Sequence, residues 1–528
     1  MPHRVLISDP LSDLGQDMLT RAGLQVDVKT DLKPDQLRAI LPEYDALLVR
    51  SGTQVTADLI AAADRLKVIA RAGVGIDNVD VPAASQRGII VANAPTGNVV
   101  AAAEHAVALL LALARHIPAA HHSMARGEWN RKDFMGVELR DKTLGTLGLG
   151  RVASNVARRA QGLDMRTLAY DPCVSADYAN NLGVELVNLD RLLAESDFIS
   201  IHLPLTEQTR GLLNAERLAQ CKAGVRIINT ARGDIIDEAD LLAALDSGHV
   251  AGAALDVFCQ EPPPPDSRLR SHPRLIVTPH IGGSTAEAQD QVAIDAVLQV
   301  IDVLAGRPAR YAVNAPLIPP GQVELLTPYV QLVETLGRFL SQFAPMQIEQ
   351  VELAIFGSIA EYDASILQAA ALRGLLAEVV VERVNIVNAR LIAEQRGIII
   401  SERRQHHHNE RYENMISLSV RADGVASSVR GSVLAGEPYI VAIEDMWVDF
   451  VARGNFLLSW HRDRPGVIGA IGTLLGKNDI NIAFMHVGRR NPRGEAIMVL
   501  NTDEPVPPRL IPLVDAIVAT HHARTVSL

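Results

Sequence analysis

Thr143-Leu144-Gly145-Thr146-Leu147 runs without a break into Gly148-Leu149-Gly150-Arg151-Val152-Ala153. The first five residues read as a buried strand and the residues to about Ala160 as a helix, with Gly-x-Gly-x-x-Ala in the turn between them. Gly148 permits the tight turn. Gly150 lets the backbone approach a pyrophosphate, and Ala153 allows close helix–strand packing. The pyrophosphate then sits on the helix N-terminus, opened by Arg151 and Val152. Glycines are common in βα turns, so the pattern alone is weak. The next strand ends in Tyr170-Asp171-Pro172, about twenty residues on, where an acidic residue binds ribose hydroxyls. Together they point to a dinucleotide. Asp171 favours NAD over NADP, because a carboxylate there repels a 2′-phosphate and no arginine follows it directly.

Outward from this turn, the first 300 or so residues alternate short β-branched runs with Ala/Leu-rich helical stretches. Strands are expected at 5–7, 47–49, 68–70, 89–91, 144–149, 168–170, 198–201, 225–229, 253–257 and 275–278. Strands alternating with helices mean parallel sheets covered on both faces. Ten strands exceed one ordinary sheet, so two α/β domains are expected. The seam falls near Pro95-Thr96-Gly97-Asn98, followed by one long helix over 99–117. A second long helix over 284–305 ends at Gly306-Arg307-Pro308 and carries the chain back to the first domain. The expected division is a discontinuous substrate domain, 1–98 and 286–315, around a nucleotide domain, 99–285. After a Pro-rich linker come a mixed segment, 317–452, and a final part, 455–528. The final part reads β-α-β-β-α-β, the order of a small ferredoxin-like domain.

Composition narrows the function. The 528 residues exclude a single small module, and 50 basic against 61 acidic residues give a net charge of −11. That argues against binding a phosphate backbone, which needs a basic face. Three scattered cysteines, Cys173, Cys221 and Cys259, offer neither a disulfide framework nor a metal-ligand spacing. The apolar run at 5–7 is too short for a signal-peptide core, and the longest, 106–114, is too short to span a bilayer. A cytoplasmic protein is expected. His406-His407-His408 and His121-His122 read as solvated polar residues rather than metal ligands, and no metal is expected.

Three polar residues follow strands in the nucleotide half. They are Arg232 in Asn229-Thr230-Ala231-Arg232-Gly233-Asp234, Glu261 before Pro262, and His280 in Thr278-Pro279-His280-Ile281-Gly282-Gly283. Ligands of open α/β sheets collect outside the carboxyl ends of strands. Oxidising a hydroxy acid needs a base for the hydroxyl proton, and histidine is the side chain tuned nearest neutral pH. A carboxylate beside it raises its pKa and fixes its tautomer, which is the role for Glu261. Arg232 can hold a substrate carboxylate and polarise the forming carbonyl. Each residue alone has an ordinary structural explanation; the joint spacing singles them out.

On these motifs, with Leu255-Asp256-Val257-Phe258 and Arg71-Ala72-Gly73-Val74-Gly75-Ile76-Asp77-Asn78, residues 1–315 resemble the D-isomer-specific 2-hydroxyacid dehydrogenases. The resemblance implies Arg232 as substrate-orienting arginine, Glu261 and His280 as acid/base pair, and Asp256 near the nicotinamide carboxamide. Thr230, Ala231, Gly282 and Gly283 would complete the cofactor site. Two departures are visible, Asp234 and Ala153, where the family commonly has glycine. Within the family, the resemblance is to the long-form branch. That implies NAD-dependent oxidation of 3-phospho-D-glycerate to 3-phosphohydroxypyruvate, the first step of the phosphorylated route to L-serine. For such a substrate, amides around Val74 and Gly75 offer a nest for the carboxylate. Arg50 and Arg71 face the cleft with phosphate-binding charge, and Arg131 and Lys132 would reach the neighbouring subunit's cleft in a dimer. The end of the chain, with Trp460-His461-Arg462-Asp463-Arg464-Pro465-Gly466-Val467 and Asn481, resembles an ACT domain. That implies serine as effector, held by His461, Asp463 and Asn481, and a homodimer or homotetramer. Residues 317–452 resemble the intervening domain of the long-form enzymes. Two alternatives stay open: another D-2-hydroxyacid dehydrogenase or 2-oxoglutarate reductase, and an NAD-sensing corepressor-like binding protein.

Overall fold

The computed structural model describes residues 2–343, 347–380, 383–406, 411–422, 424–518 and 523–528. The first sheet contains β1 (Arg4–Ile7), β2 (Gln25–Val28), β3 (Ala46–Val49), β4 (Val68–Arg71) and β5 (Ile90–Ala92), all parallel, in the order β2-β1-β3-β4-β5. Strands β1, β3 and β4 are covered on both faces, which is why they read as unbroken apolar runs. Strand β2, Gln25-Val26-Asp27-Val28, was not expected; it lies at the sheet edge, half exposed, and carries no apolar run.

The second sheet contains β6 (Thr143–Leu147), β7 (Arg166–Tyr170), β8 (Glu185–Leu186), β9 (Phe198–Ile201), β10 (Val225–Asn229), β11 (Val250–Leu255) and β12 (Leu275–Val277). Its order is β12-β11-β10-β9-β6-β7-β8, again parallel. The order reverses between β6 and β9, the crevice where doubly wound sheets bind dinucleotides. Strand β6 covers the five residues read before the glycine turn and stops short of the broader span 144–149, because Gly148 turns the chain at φ 94°. The two-residue β8 is a further edge strand without a sequence signal.

The expected continuous helix over 99–117 is broken. One helix covers Val99–Ala114, and a second, Ile117–Ala125, leaves it at 64°. Pro118 explains the break, since its ring would clash with the carbonyl of Ala114 and it has no N–H to donate. His116 makes the corner at φ 52°. The helix Ala286–Leu304 lies on the first sheet, burying Val292, Ala296, Val297 and Val300 against Val5, Ile7, Leu48 and Val68. Asn314 closes the return by accepting from the Val91 amide at 2.8 Å and donating to the Ile89 carbonyl at 2.9 Å.

A third, mixed sheet holds β13 (Ile348–Phe356), β14 (Ile399–Gln405), β15 (Met415–Ala422), β16 (Val425–Leu434), β17 (Glu437–Ile443) and β18 (Met446–Val451). Its order is β14-β13-β15-β16-β17-β18, and the helices Val323–Phe343 and Ser365–Leu376 contribute to its core. The last sheet holds β19 (Asn455–Arg462), β20 (Ile482–Arg489), β21 (Glu495–Thr502) and β22 (Arg524–Ser527) in the order β20-β21-β19-β22, the ferredoxin-like arrangement. Two doubly wound sheets, a mixed α+β unit and a ferredoxin-like unit are the fold class read from the sequence. Among the described residues, no single helix is long and apolar enough to cross a membrane.

Candidate active site

Between the carboxyl ends of the first two sheets lies a cavity of about 820 Å³. Arg50, Arg71, Val74 and Gly75 line it from the first sheet. Two buried polar residues hold this wall. Asp9 accepts the amides of Arg50 (2.6 Å) and Thr53 (3.1 Å) and the Thr53 hydroxyl (2.9 Å). Asn78 donates to the carbonyls of Arg50 and Thr53, both at 2.7 Å, and accepts from Arg71 Nε at 2.9 Å. Among the described residues the amides of Val74 and Gly75 make no hydrogen bond, leaving both donors for a ligand. Burial, then the charges of Arg232 and Arg50, lower the pKa of Arg71, so an anion between these groups is strongly favoured.

The facing wall carries Thr230, Arg232, Asp256, Glu261 and His280. Strand β10 ends at the buried Asn229, which accepts from the Ala231 amide at 3.0 Å and donates to the Arg232 carbonyl at 2.9 Å. That small turn aims Arg232 at the cleft. Only glycine fits at 233, because a Cβ there would collide with the Phe258 backbone. Arg232 donates to its neighbour's carbonyl at 2.7 Å and to Asp77 at 3.1 Å. His280 Nδ1 lies 2.7 Å from Glu261 Oε2, while Glu261 Oε1 accepts from the Phe258 amide at 3.0 Å. Burial pushes the Glu261 carboxyl up, but the bonds from His280 and Phe258 outweigh it and hold it below the ordinary range. Glu261 is therefore ionised at neutral pH, Nδ1 is the donor, and Nε2 is left as the base.

The residues of the glycine turn fit a dinucleotide. The helix Arg151–Gln161 begins at Gly150 with no side-chain cap, so its first amides are free for a pyrophosphate. A Cβ at Gly150 would meet nothing within 4 Å, which leaves open space over those amides. Ala153 is fully buried in the packing of that helix, and Val152 is half-buried beside it. Arg151 reaches across to the Pro95 carbonyl at 3.4 Å. Asp171 also braces the turn itself, since its carboxylate accepts from the Leu149 amide at 2.8 Å and ties the glycine turn to β7. Among the described residues Thr230 Oγ1 is buried without a hydrogen-bond partner, and Thr230 lines the cavity, as a group awaiting a ligand would. Gly282 and Gly283 line the same space beside Asp256, and Ala231 stands next to Thr230.

The structure separates other expected site residues. Arg131 and Lys132 sit on an exposed single turn, Arg131–Phe134, outside this chain's cleft. His461 is buried, and Asp463 pairs with Arg489 at 2.7 Å. Asn481 donates to Asp503 at 2.7 Å at the opposite end of the last sheet. Asp234 pairs with Arg210 at 2.5 Å. His407 and His408 lie outside the described residues. Among the described residues no group of three or more His, Cys, Asp or Glu is placed to hold a metal. Asp9, Asn78, Asn229 and Asp77 were not singled out beforehand. Asp9 lies two residues beyond β1 and Asn229 ends β10, whereas Asp77 and Asn78 sit in the loop after β4.

Fold and site define a D-isomer-specific 2-hydroxyacid dehydrogenase. Residues 107–282 match the model of the D-isomer specific 2-hydroxyacid dehydrogenase NAD binding domain. Residues 325–444 match the D-3-phosphoglycerate dehydrogenase intervening domain, and 456–519 the ACT domain. The chain is 45% identical over 527 residues to the D-3-phosphoglycerate dehydrogenase of Synechocystis sp., covering 99% of this chain and 95% of that one. It is 43% identical over 510 residues to that of Archaeoglobus fulgidus, covering 96% and 97%. Among solved structures, the TT0316 protein of Thermus thermophilus is 36% identical with a TM-score of 0.55, covering 59% of this chain and 99% of that one. The chain belongs to the D-3-phosphoglycerate dehydrogenase family.

Proposed function

We propose that the chain oxidises 3-phospho-D-glycerate at C2 to 3-phosphohydroxypyruvate with NAD, the first step of the phosphorylated route to L-serine. One observation carries this reading: a Glu261–His280 pair and Arg232 face Arg50 and Arg71 across a single cavity. When bound, NAD supplies the hydride acceptor. Arg232 and the amides of Val74 and Gly75 hold the C1 carboxylate. This leaves the C2 hydroxyl for His280 Nε2, which takes its proton while ionised Glu261 stabilises the imidazolium. Arg50 and Arg71 take the phosphate.

The division into a discontinuous substrate domain (1–98 and 286–315), a nucleotide domain (99–285), an intervening domain (317–452) and an ACT domain (455–528) is part of the same proposal. So are a cytoplasmic location, a homodimer or homotetramer in which Arg131 and Lys132 serve the neighbouring cleft, and serine as effector.

An assay of NADH formation from 3-phosphoglycerate, coupled to removal of the product, tests the activity. Replacing Arg50 by Ala is expected to raise KM for 3-phosphoglycerate about tenfold or more while changing that for D-glycerate little, since a charge-assisted pair to phosphate is lost only in the first case. Equal effects on both substrates would remove Arg50 from phosphate recognition.

A further inference from the structure

The carboxylate of Asp256 is fully buried at the inner end of the cavity and is held unevenly. Oδ1 accepts the Thr278 hydroxyl at 2.5 Å and the Ile281 amide at 2.9 Å. Among the described residues Oδ2 accepts only the Gly282 amide, at 2.8 Å. A third group also reaches Oδ1: His105 Nε2, at 3.3 Å, which lies 3.2 Å from Thr278 Oγ1 as well. His105 comes from the helix Val99–Ala114, far from Asp256 in sequence. Thr278 has one hydroxyl proton and points it at Asp256. Nε2 therefore faces two acceptors and carries a proton itself. The Thr278 hydroxyl, the Ile281 amide and His105 Nε2 crowd Oδ1, whereas Oδ2 keeps acceptor capacity on a residue that lines the cavity.

We infer that His105 is a positioning residue for the cofactor, fixing Asp256 so that Oδ2 accepts an N–H from the carboxamide of the nicotinamide. This inference rests on the proposed NAD-dependent activity. Its chemistry is specific. Asp256 is an acceptor only, so a ring substituent with an N–H gains from the arrangement and one without an N–H does not. Burial pushes the Asp256 carboxyl up; the His105, Thr278 and backbone bonds outweigh it and keep it charged.

Calorimetric titration of the substrate-free protein with NAD⁺ and with 3-acetylpyridine adenine dinucleotide, whose methyl ketone has no N–H, tests the inference. His105→Leu is expected to weaken NAD⁺ binding about tenfold, the scale of one hydrogen bond to a charged group, and to change binding of the analogue less than twofold. His105→Gln keeps a donor and should hold NAD⁺ affinity within about twofold of the parent. Thr278→Val, which removes another donor to Oδ1, should discriminate between the dinucleotides in the same direction. Equal weakening of both dinucleotides, or no weakening of either, overturns the positioning role. Failure of the unmodified protein to bind NAD⁺ would instead overturn the proposed function.

Discussion

The guanidinium of Arg232 is already occupied by a carboxylate, that of Asp77, which stands where a substrate carboxylate would bind. Asp77 is well exposed, so the pair is worth no more than about 1 kcal/mol. On the proposed binding mode the substrate carboxylate displaces it. Asp77→Asn is therefore expected to lower KM for a hydroxy-acid substrate about two- to fivefold with little change in kcat. Initial-rate kinetics check this, and a raised KM would show instead that Asp77 aligns Arg232 for the substrate. Arg232, Glu261 and His280 were legible in the sequence because their chemistry is distinct and each follows a strand. Asp9 and Asn78 act through hydrogen bonds to the backbone at 50–53, a segment they meet only in three dimensions, and Asn229 acts within its own short turn. Nothing in their local sequence separates them from ordinary turn residues.

Strand β9 delivers a less visible element of the site. Its ladder continues into His202, whose amide donates to the Leu147 carbonyl at 2.8 Å and whose own carbonyl packs against Gly148 of the nucleotide turn. Ser200 Oγ meets the imidazole Nε2 at 2.8 Å, and burial pushes the His202 pKa down to about 4. The unfolded chain, with an ordinary histidine near 6.5, takes the proton first as pH falls. The stability held by neutral His202 is thus complete above about pH 6.5 and lost progressively toward about 4, reaching a loss of up to about 2 kcal/mol at pH 5. Urea unfolding at pH 7.5 and pH 5 should show a drop in the parent protein that is smaller by that amount in His202→Asn; identical drops would count against it. At this scale the sequence is read best where burial is greatest. Strands β1, β3, β4 and β6 are covered on both faces and announce themselves as apolar runs. The edge strands β2 and β8 bury too little to leave a pattern. The break at Arg115 and His116 was written in Pro118, but the apolar periodicity on either side concealed it.

Across the whole molecule, the last sheet sets a geometric condition on the proposed serine site. Asp463 follows Arg462, which pairs with Glu495; Asn481 precedes Ile482, which pairs with Thr502. The two residues lie at opposite ends of an eight-residue strand, Glu495–Thr502, on the order of 23 Å apart at about 3.3 Å per residue. No single serine spans that distance, so one copy of the chain cannot hold it with both residues. Asn481 opens β20, an edge strand whose Phe484 and Met485 are exposed, and a second copy placed there by a two-fold axis can supply the other half. Asp463→Ala and Asn481→Ala should each abolish the heat of L-serine binding. An equimolar mixture of the two variants, dissociated and reassembled, should regain about a quarter of the parent's serine sites. Half of the random dimers are mixed, and each mixed dimer keeps one intact site of two. If Asp463 and Asn481 instead served serine within one copy, every site in the mixture would lack a residue and no binding would return.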